Sequence, residues 1–252
     1  MRSGVQNERF VQQVRLHRMA IQFLEVSGQR GKPMPSHDTL VLSEEEIAEG
    51  AQRIRDRSHQ PHEDLGLYFF LLATGARPLE IARLEIRDYL DPTGGVRHSS
   101  EFRPEVANNG RSRPLFFRSS RLDEVLSSYL AERVLLKLGL GEDGAYRGLD
   151  PATRLFLSSS GRGFEITPYE ANGQRQFQCR SILEAYRKIF RYAELKNLTA
   201  LRARHTVAAK LFARGADEVQ VGLLLGIAEP SAVRAQFPRE RLTLEQLVAN
   251  LI

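Results

Sequence analysis

Two arginines stand where local sequence signals let each meet an anion. Arg77 follows Gly75, a helix-stopping glycine. It precedes Pro78, which suits the first position of a new helix, with Glu80 two residues further in. A guanidinium at such a start faces a ligand together with backbone N–H groups of the helix end. Arg204 falls inside a helical stretch, 200–214, with Leu201 and Ala208 at i−3 and i+4 on the same face. Two guanidiniums converging on one phosphate neutralise the charge that develops on its non-bridging oxygens during phosphoryl transfer. Alone, each arginine reads as an ordinary surface or ion-pair residue. The words around them change that.

The elements that would position these residues can be read from periodicity and punctuation. Residues 7–27 carry a loose helical stripe, and the breaker-rich stretch Ser27 to Ser36 reads as a linker. Ser43-Glu44-Glu45-Glu46 opens a helix with a hydroxyl N-cap and first-turn carboxylates, running to about Arg57. The next helix runs from about Pro61 to Ala73 and ends at Gly75. The segment 91–118 changes character. Asp91-Pro92-Thr93-Gly94-Gly95 and Asn108-Asn109-Gly110 are turn signals, and the short stretches around them suit a small antiparallel sheet. Helical periodicity returns at 122–138, 178–194, 200–214, 217–225, 230–237 and 242–251, with Leu155-Phe156-Leu157 a short strand or extended piece. The fold class that follows is mainly α with a small antiparallel β-sheet, an α+β arrangement.

The 252 residues can bury a sizeable core, and 42% hydrophobic residues argue against wholesale disorder. Net charge is +5, a modest excess, so where the cations sit matters more than their number. The single cysteine, Cys179, excludes an internal disulfide and offers no metal-ligand spacing; neither metal nor cofactor is expected. The polar N-terminus has no signal-peptide run, and the most apolar window, Leu65 to Ala73, is far short of the roughly 20 residues that cross a bilayer. A soluble, cytoplasmic protein with no membrane partner is the expectation.

TGARPLEIARL, carrying Arg77, resembles the first box of the tyrosine-recombinase (phage-integrase) family, a TGxRxxEL pattern. RARHTVAAKLFARGADEVQVGLLLG resembles the second, with Arg204-His205-Thr206 and Leu224-Leu225-Gly226 at the family spacing without a gap. The match covers about 41–252. It implies the family's catalytic-domain fold for those residues and phosphate-gripping roles for Arg77 and Arg204. The 40 residues ahead of it supply a helix and linker but not the complete helical DNA-clamping module of the family.

Against the family pattern, most reactive side chains are absent. The histidine slot of the second box is Leu201, and the slot after Leu-Leu-Gly is Ile227. No lysine lies between 91 and 118, where the family carries one on a hairpin; Arg103 or Arg111 could stand in, but the high pKa of arginine makes it a poor general acid. The nucleophile's position falls at Gln236, with Phe237 the one aromatic nearby, and no tyrosine follows Tyr192. Phenylalanine has no oxygen to attack phosphorus. Leucine and isoleucine cannot donate a proton. His205 is read as a support residue, and Tyr186 and Tyr192 as packing residues.

Affinity for DNA does not require a nucleophile, because it arises mainly from phosphate neutralisation. The candidate phosphate or DNA contacts are Arg77, Arg204, His205, Arg111, Arg113, Arg103, Arg180 and Lys210, with Arg175, Arg202 and the Arg187-Lys188…Arg191 run as further cations. The resemblance implies double-stranded DNA as partner, together with an active recombinase or a second copy engaged through the apolar helix 242–252. The expected function is that of a catalytically inactive, DNA-binding accessory or regulatory factor in site-specific recombination or integration. The alternatives are a divergent active recombinase with a displaced nucleophile, and an assembly scaffold that does not bind DNA.

Overall fold

The computed structural model describes residues 41–171, 173–195 and 197–238. The expected helix at 7–27, the linker after it and the apolar helix 242–252 lie outside the described residues. Helix α1 (Glu44–Arg57) starts in a capping box: Glu46 N–H donates to Ser43 Oγ at 3.1 Å, and Ser43 N–H donates to the Glu46 carboxylate at 2.8 Å. Helix α2 (Pro61–Thr74) is buried nearly all round, with Leu65, Leu67, Tyr68, Phe70 and Leu71 enclosed. Its apolar run fits that position, because α1 and three later helices pack around it. Gly75 ends α2 in the left-handed conformation, φ 61°. A Cβ there would lie 2.6 Å from the Leu225 side chain, so both backbone and packing require glycine.

Helix α3 (Pro78–Arg83) and the single turn α4 (Ile86–Tyr89) lead to strand β1 (Ser99–Phe102), which pairs antiparallel with β2 (Arg113–Phe116). Helix α5 (Ser120–Leu135) and a 3-10 turn (Ala145–Gly148) precede a second hairpin, β3 (Thr167–Ala171) with β4 (Gln174–Gln178). Helices α6 (Arg180–Ala193), α7 (Ala200–Ala213), α8 (Glu218–Leu225) and α9 (Pro230–Gln236) complete the described chain. The main core is joined by edge-to-face rings: Phe70 meets Phe156 at 5.5 Å and Phe117 at 5.9 Å, and Tyr89 meets Phe117 at 4.9 Å. A smaller cluster of Val207, Ala208, Val221, Leu225, Val233 and Phe237 fastens α7, α8 and α9 together. No described helix is long and apolar enough to cross a membrane.

The mainly helical reading holds, with one correction. Of the two readings for Leu155-Phe156-Leu157, the extended piece is the one found: isolated bridges at Arg154 and Leu157 replace a strand, and all three side chains are buried. The second hairpin was not expected, although Asn172-Gly173 between two polar runs is a strong two-residue turn signal. Its strands are largely exposed, so no apolar alternation marks them.

Candidate phosphate-binding site

Arg204 is the buried centre of the site. Helix α7 places it there: Thr199 caps the helix through Arg202 N–H at 3.1 Å, and Thr206 Oγ accepts Leu42 N–H at 3.0 Å while donating to the Arg202 carbonyl. The Arg204 guanidinium, on a residue 4% exposed, donates to the Gly75 carbonyl at 2.5 Å and to the Leu225 carbonyl at 2.9 Å. Both acceptors lie at helix C-terminal ends, where carbonyls lack intrahelical partners and carry partial negative charge. A guanidinium has five donors, so the fork keeps N–H groups beyond these two bonds. Burial, with Arg77 and then Arg113 adding repulsion and Glu80 opposing it, brings the Arg204 pKa down to about 10. Arg77 is therefore close enough for its charge to be felt at Arg204. Arg204 is hydrogen-bonded to Gly75, two residues before Arg77, which sets the two family-box segments side by side.

Glu80 organises the rest. Its carboxylate, 2% exposed, accepts Arg77 N–H at 2.9 Å, Asn108 N–H at 3.0 Å, and both Arg113 Nη groups at 2.8 and 2.7 Å. Burial alone would raise its pKa, but the Arg113 bonds and charge, with the two backbone donors, hold it below the usual carboxylate value. This corrects the expectation for Arg113. It is not an outward hairpin cation: it is buried, its fork is taken by Glu80, its Nε donates to the Leu224 carbonyl at 3.2 Å, and its guanidinium lies 4.0 Å from the Phe102 ring centre.

Leu224-Leu225-Gly226 thus acts as a seat for two guanidiniums, the Leu224 carbonyl holding Arg113 and the Leu225 carbonyl holding Arg204. Gly226 adopts φ 69°, and a Cβ on it would lie 3.2 Å from the Arg113 guanidinium. Neither Glu80 as a buried hub nor these carbonyls were singled out from sequence. The glutamate of TGARPLE and the arginine of Arg111-Ser112-Arg113 were visible as residues, but a pairing across 33 positions leaves no local signal.

The degenerate positions lie on α7 or just past the ends of α8 and α9. Leu201 lies on α7, 46% exposed, one turn before Arg204. Ile227 follows Gly226 and donates its N–H to the Gly222 carbonyl. Phe237, 2% exposed, sets its ring edge-on to His205 with centroids 4.9 Å apart. The ring at the nucleophile's neighbourhood is packed into the small core, and His205 on α7 is buried beside it rather than presented to solvent.

Of the remaining candidates, Arg103 is committed to carboxylates: its Nε bonds Asp88 at 2.8 Å and its Nη2 bonds Glu85 at 2.8 Å. Those pairs correct its reading as a stand-in for the missing lysine. Lys210 is bonded to Glu44, Lys188 reaches Asp64 at 2.9 Å and Arg202 lies 3.7 Å from Glu46. Arg111, Arg175, Arg180, Arg187 and Arg191 are exposed. Tyr186 is buried, its hydroxyl donating to the Leu67 carbonyl. Among the described residues no group of His, Cys, Asp and Glu is arranged to hold a metal ion.

No family model and no curated protein sequence matches the chain. Solved structures do. The fold is similar to XerA recombinase, with a TM-score of 0.57 and 20% identity over 86% of this chain and 64% of that one. It is similar to XerH site-specific recombinase in a pre-cleavage complex with its difH substrate, at 0.54 and 19% over 86% of this chain and 53% of that one. It is also similar to the Tn1549 transposon integrase in complex with circular intermediate DNA, at 0.51 and 15% over 87% of this chain and 66% of that one. The chain spans about half to two thirds of the length of these proteins. The described residues therefore have the tyrosine-recombinase catalytic-domain fold that the two sequence boxes imply.

Proposed function

We propose that this chain is a tyrosine-recombinase-like DNA-binding protein that grips a backbone phosphate through Arg77 and Arg204 and does not cleave the strand. It would act as an accessory or regulatory factor in site-specific recombination or integration. The observation that carries the reading is a buried Arg204, bonded to the Gly75 carbonyl two residues before Arg77, together with a nucleophile's neighbourhood filled by a buried phenylalanine. On this reading residues 41–252 form the phosphate-gripping unit, residues 1–40 add a helix and linker, and the apolar segment 242–252 docks on its own domain or on a second copy. Two of the three solved structures named above hold DNA, which supports a duplex as the partner.

Without a hydroxyl at Phe237, and with Leu201 and Ile227 in place of proton donors, no phosphotyrosine bond forms there. Two measurements test this. A nicked duplex that traps covalent intermediates should give no protein–DNA adduct; an adduct mapped to any residue, the exposed Tyr169 included, refutes inactivity. Duplex affinity should fall steeply with salt, and Arg77→Gln or Arg204→Lys should flatten that dependence. Binding that is absent, or indifferent to salt and to both substitutions, favours an assembly scaffold instead.

A further inference from the structure

The hairpin β3–β4 carries a cluster that the phosphate site does not use. On one face the register sets Pro168 against Phe177 and Glu170 against Arg175. The Phe177 ring, on a residue 42% exposed, receives two guanidiniums: Arg83, from the last turn of α3, at 5.2 Å from its centre, and Arg175, from β4, at 5.6 Å. Among the described residues neither cation lies within 4.0 Å of a carboxylate, Glu170 included, and Glu170 is the one acidic residue of the ribbon face. Arginines that face the core, by contrast, are tied to acids or carbonyls, as Arg113, Arg103 and Arg133 show. Two guanidiniums held over an exposed ring, with donors unspent, form a preorganised anion-binding surface.

We propose that this face of the hairpin is a second contact to the duplex backbone, with Arg83 and Arg175 on phosphates and Phe177 holding both. The inference rests on the reading of Arg77 and Arg204 as a phosphate grip. Helix α3 links the two surfaces: Arg77 caps its start and Arg83 closes its end. Six residues of helix separate their backbones by about 9 Å along the axis, close enough for both to meet one duplex. A two-stranded ribbon is also narrow enough to lie along a DNA groove. Cations in excess and polar glutamines around them favour a polyanion over an apolar protein surface.

The test is duplex binding by the full chain, measured by fluorescence anisotropy across a salt series, for wild type, Arg83→Gln/Arg175→Gln and Arg77→Gln. Losing two phosphate contacts should lower the log–log salt slope by about 2, so that the wild type loses about tenfold more affinity than the double variant between 50 and 200 mM salt. Far-ultraviolet circular dichroism should match wild type, and the melting temperature should change little, because Arg175 is exposed and Arg83 is only half-buried. Phe177→Leu should retain the slope yet weaken affinity, since the charges stay while their support goes. If the hairpin variant keeps the wild-type slope while Arg77→Gln reduces it, the hairpin contact is wrong and the phosphate grip stands; the cluster then suits an acidic protein surface. If the wild-type slope is flat, both fall. If only the hairpin variant reduces the slope, the hairpin contact stands and the Arg77–Arg204 grip falls.

Discussion

The buried Glu80–Arg113 pair offers the sharpest test of how the site is held. Each carboxylate oxygen accepts one backbone and one guanidinium bond: one takes Asn108 N–H and Arg113 Nη1, the other Arg77 N–H and Arg113 Nη2. In Glu80→Gln the amide NH2 faces two donors whichever way it is flipped. Arg113, 5% exposed, is then left as an undercompensated buried charge. Breaking a buried pair from one side costs about 3–5 kcal/mol. At about 2–4 °C per kcal/mol for a domain of this size, the melting temperature should drop by roughly 10 °C. Duplex affinity should fall with it, because Arg77 loses the bond that fixes its backbone. Urea unfolding of Glu80→Leu, Arg113→Met and the double variant closes a thermodynamic cycle. The double variant should be more stable than Glu80→Leu alone, with a coupling of about 2 kcal/mol or more. The folded-state pKa of Glu80 lies below its unfolded value, so its contribution is present above about pH 4.5 and is lost as pH falls through the folded value. The variant should lack that part of the acid slope. A cost for Glu80→Gln below about 1 kcal/mol, with additive single substitutions, would refute the reasoning.

Three further outcomes follow from the same geometry. Tyr68, Tyr89, Tyr129 and Tyr186 all have pKa values raised chiefly by burial. Their stabilisation is complete below about pH 10 and is lost as pH rises, at about 1.4 kcal/mol per unit for each. Phenolate absorbance from these four of the seven tyrosines should therefore appear in a single step with loss of circular dichroism; all seven phenols ionising while the fold persists would contradict the burial argument. Gly226→Ala should cost about 1–3 kcal/mol in urea, from the left-handed backbone and the 3.2 Å approach to Arg113; a neutral effect would mean the turn relaxes freely. Arg133→Met should cost about 2–4 kcal/mol, because Arg133 satisfies the Arg154 and Leu155 carbonyls at 2.9 and 3.1 Å, and limited proteolysis should then cut between 136 and 155.

The legible parts of the sequence were those written locally. Ser43 with Glu46, Gly75 followed by Pro78, and the gapless Arg204-His205-Thr206 to Leu224-Leu225-Gly226 spacing specify helix ends, and the helices appear there within a few residues. The closeness of the two boxes, with Arg204 bonding Gly75 two residues before Arg77, also followed from the resemblance. Partner choice among arginines did not. Arg103, Arg111 and Arg113 look alike along the chain, yet one meets Asp88, one faces solvent and one fills the core beside Phe102, because the carboxylates that decide this lie 15 to 33 residues away. The packing of Phe237 against His205 depends on three helices folding back on each other, which no window of sequence contains.

The clasp made by Arg204 has a bearing on how the chain is born. One side chain ties the end of α2 to the end of α8 across 129 and 21 residues, and Thr206 reaches back 164 residues to Leu42. Entropy must be spent on closing these long loops before the contacts reward it. A nascent chain stalled on the ribosome before about residue 225 would lack the Leu225 carbonyl that Arg204 bonds and the α8 and α9 side of the smaller cluster. Closure of the Arg204 clasp is thus deferred until α8 has emerged, and truncation within α8 should leave the α7 end of the chain protease-sensitive while the main core is already formed.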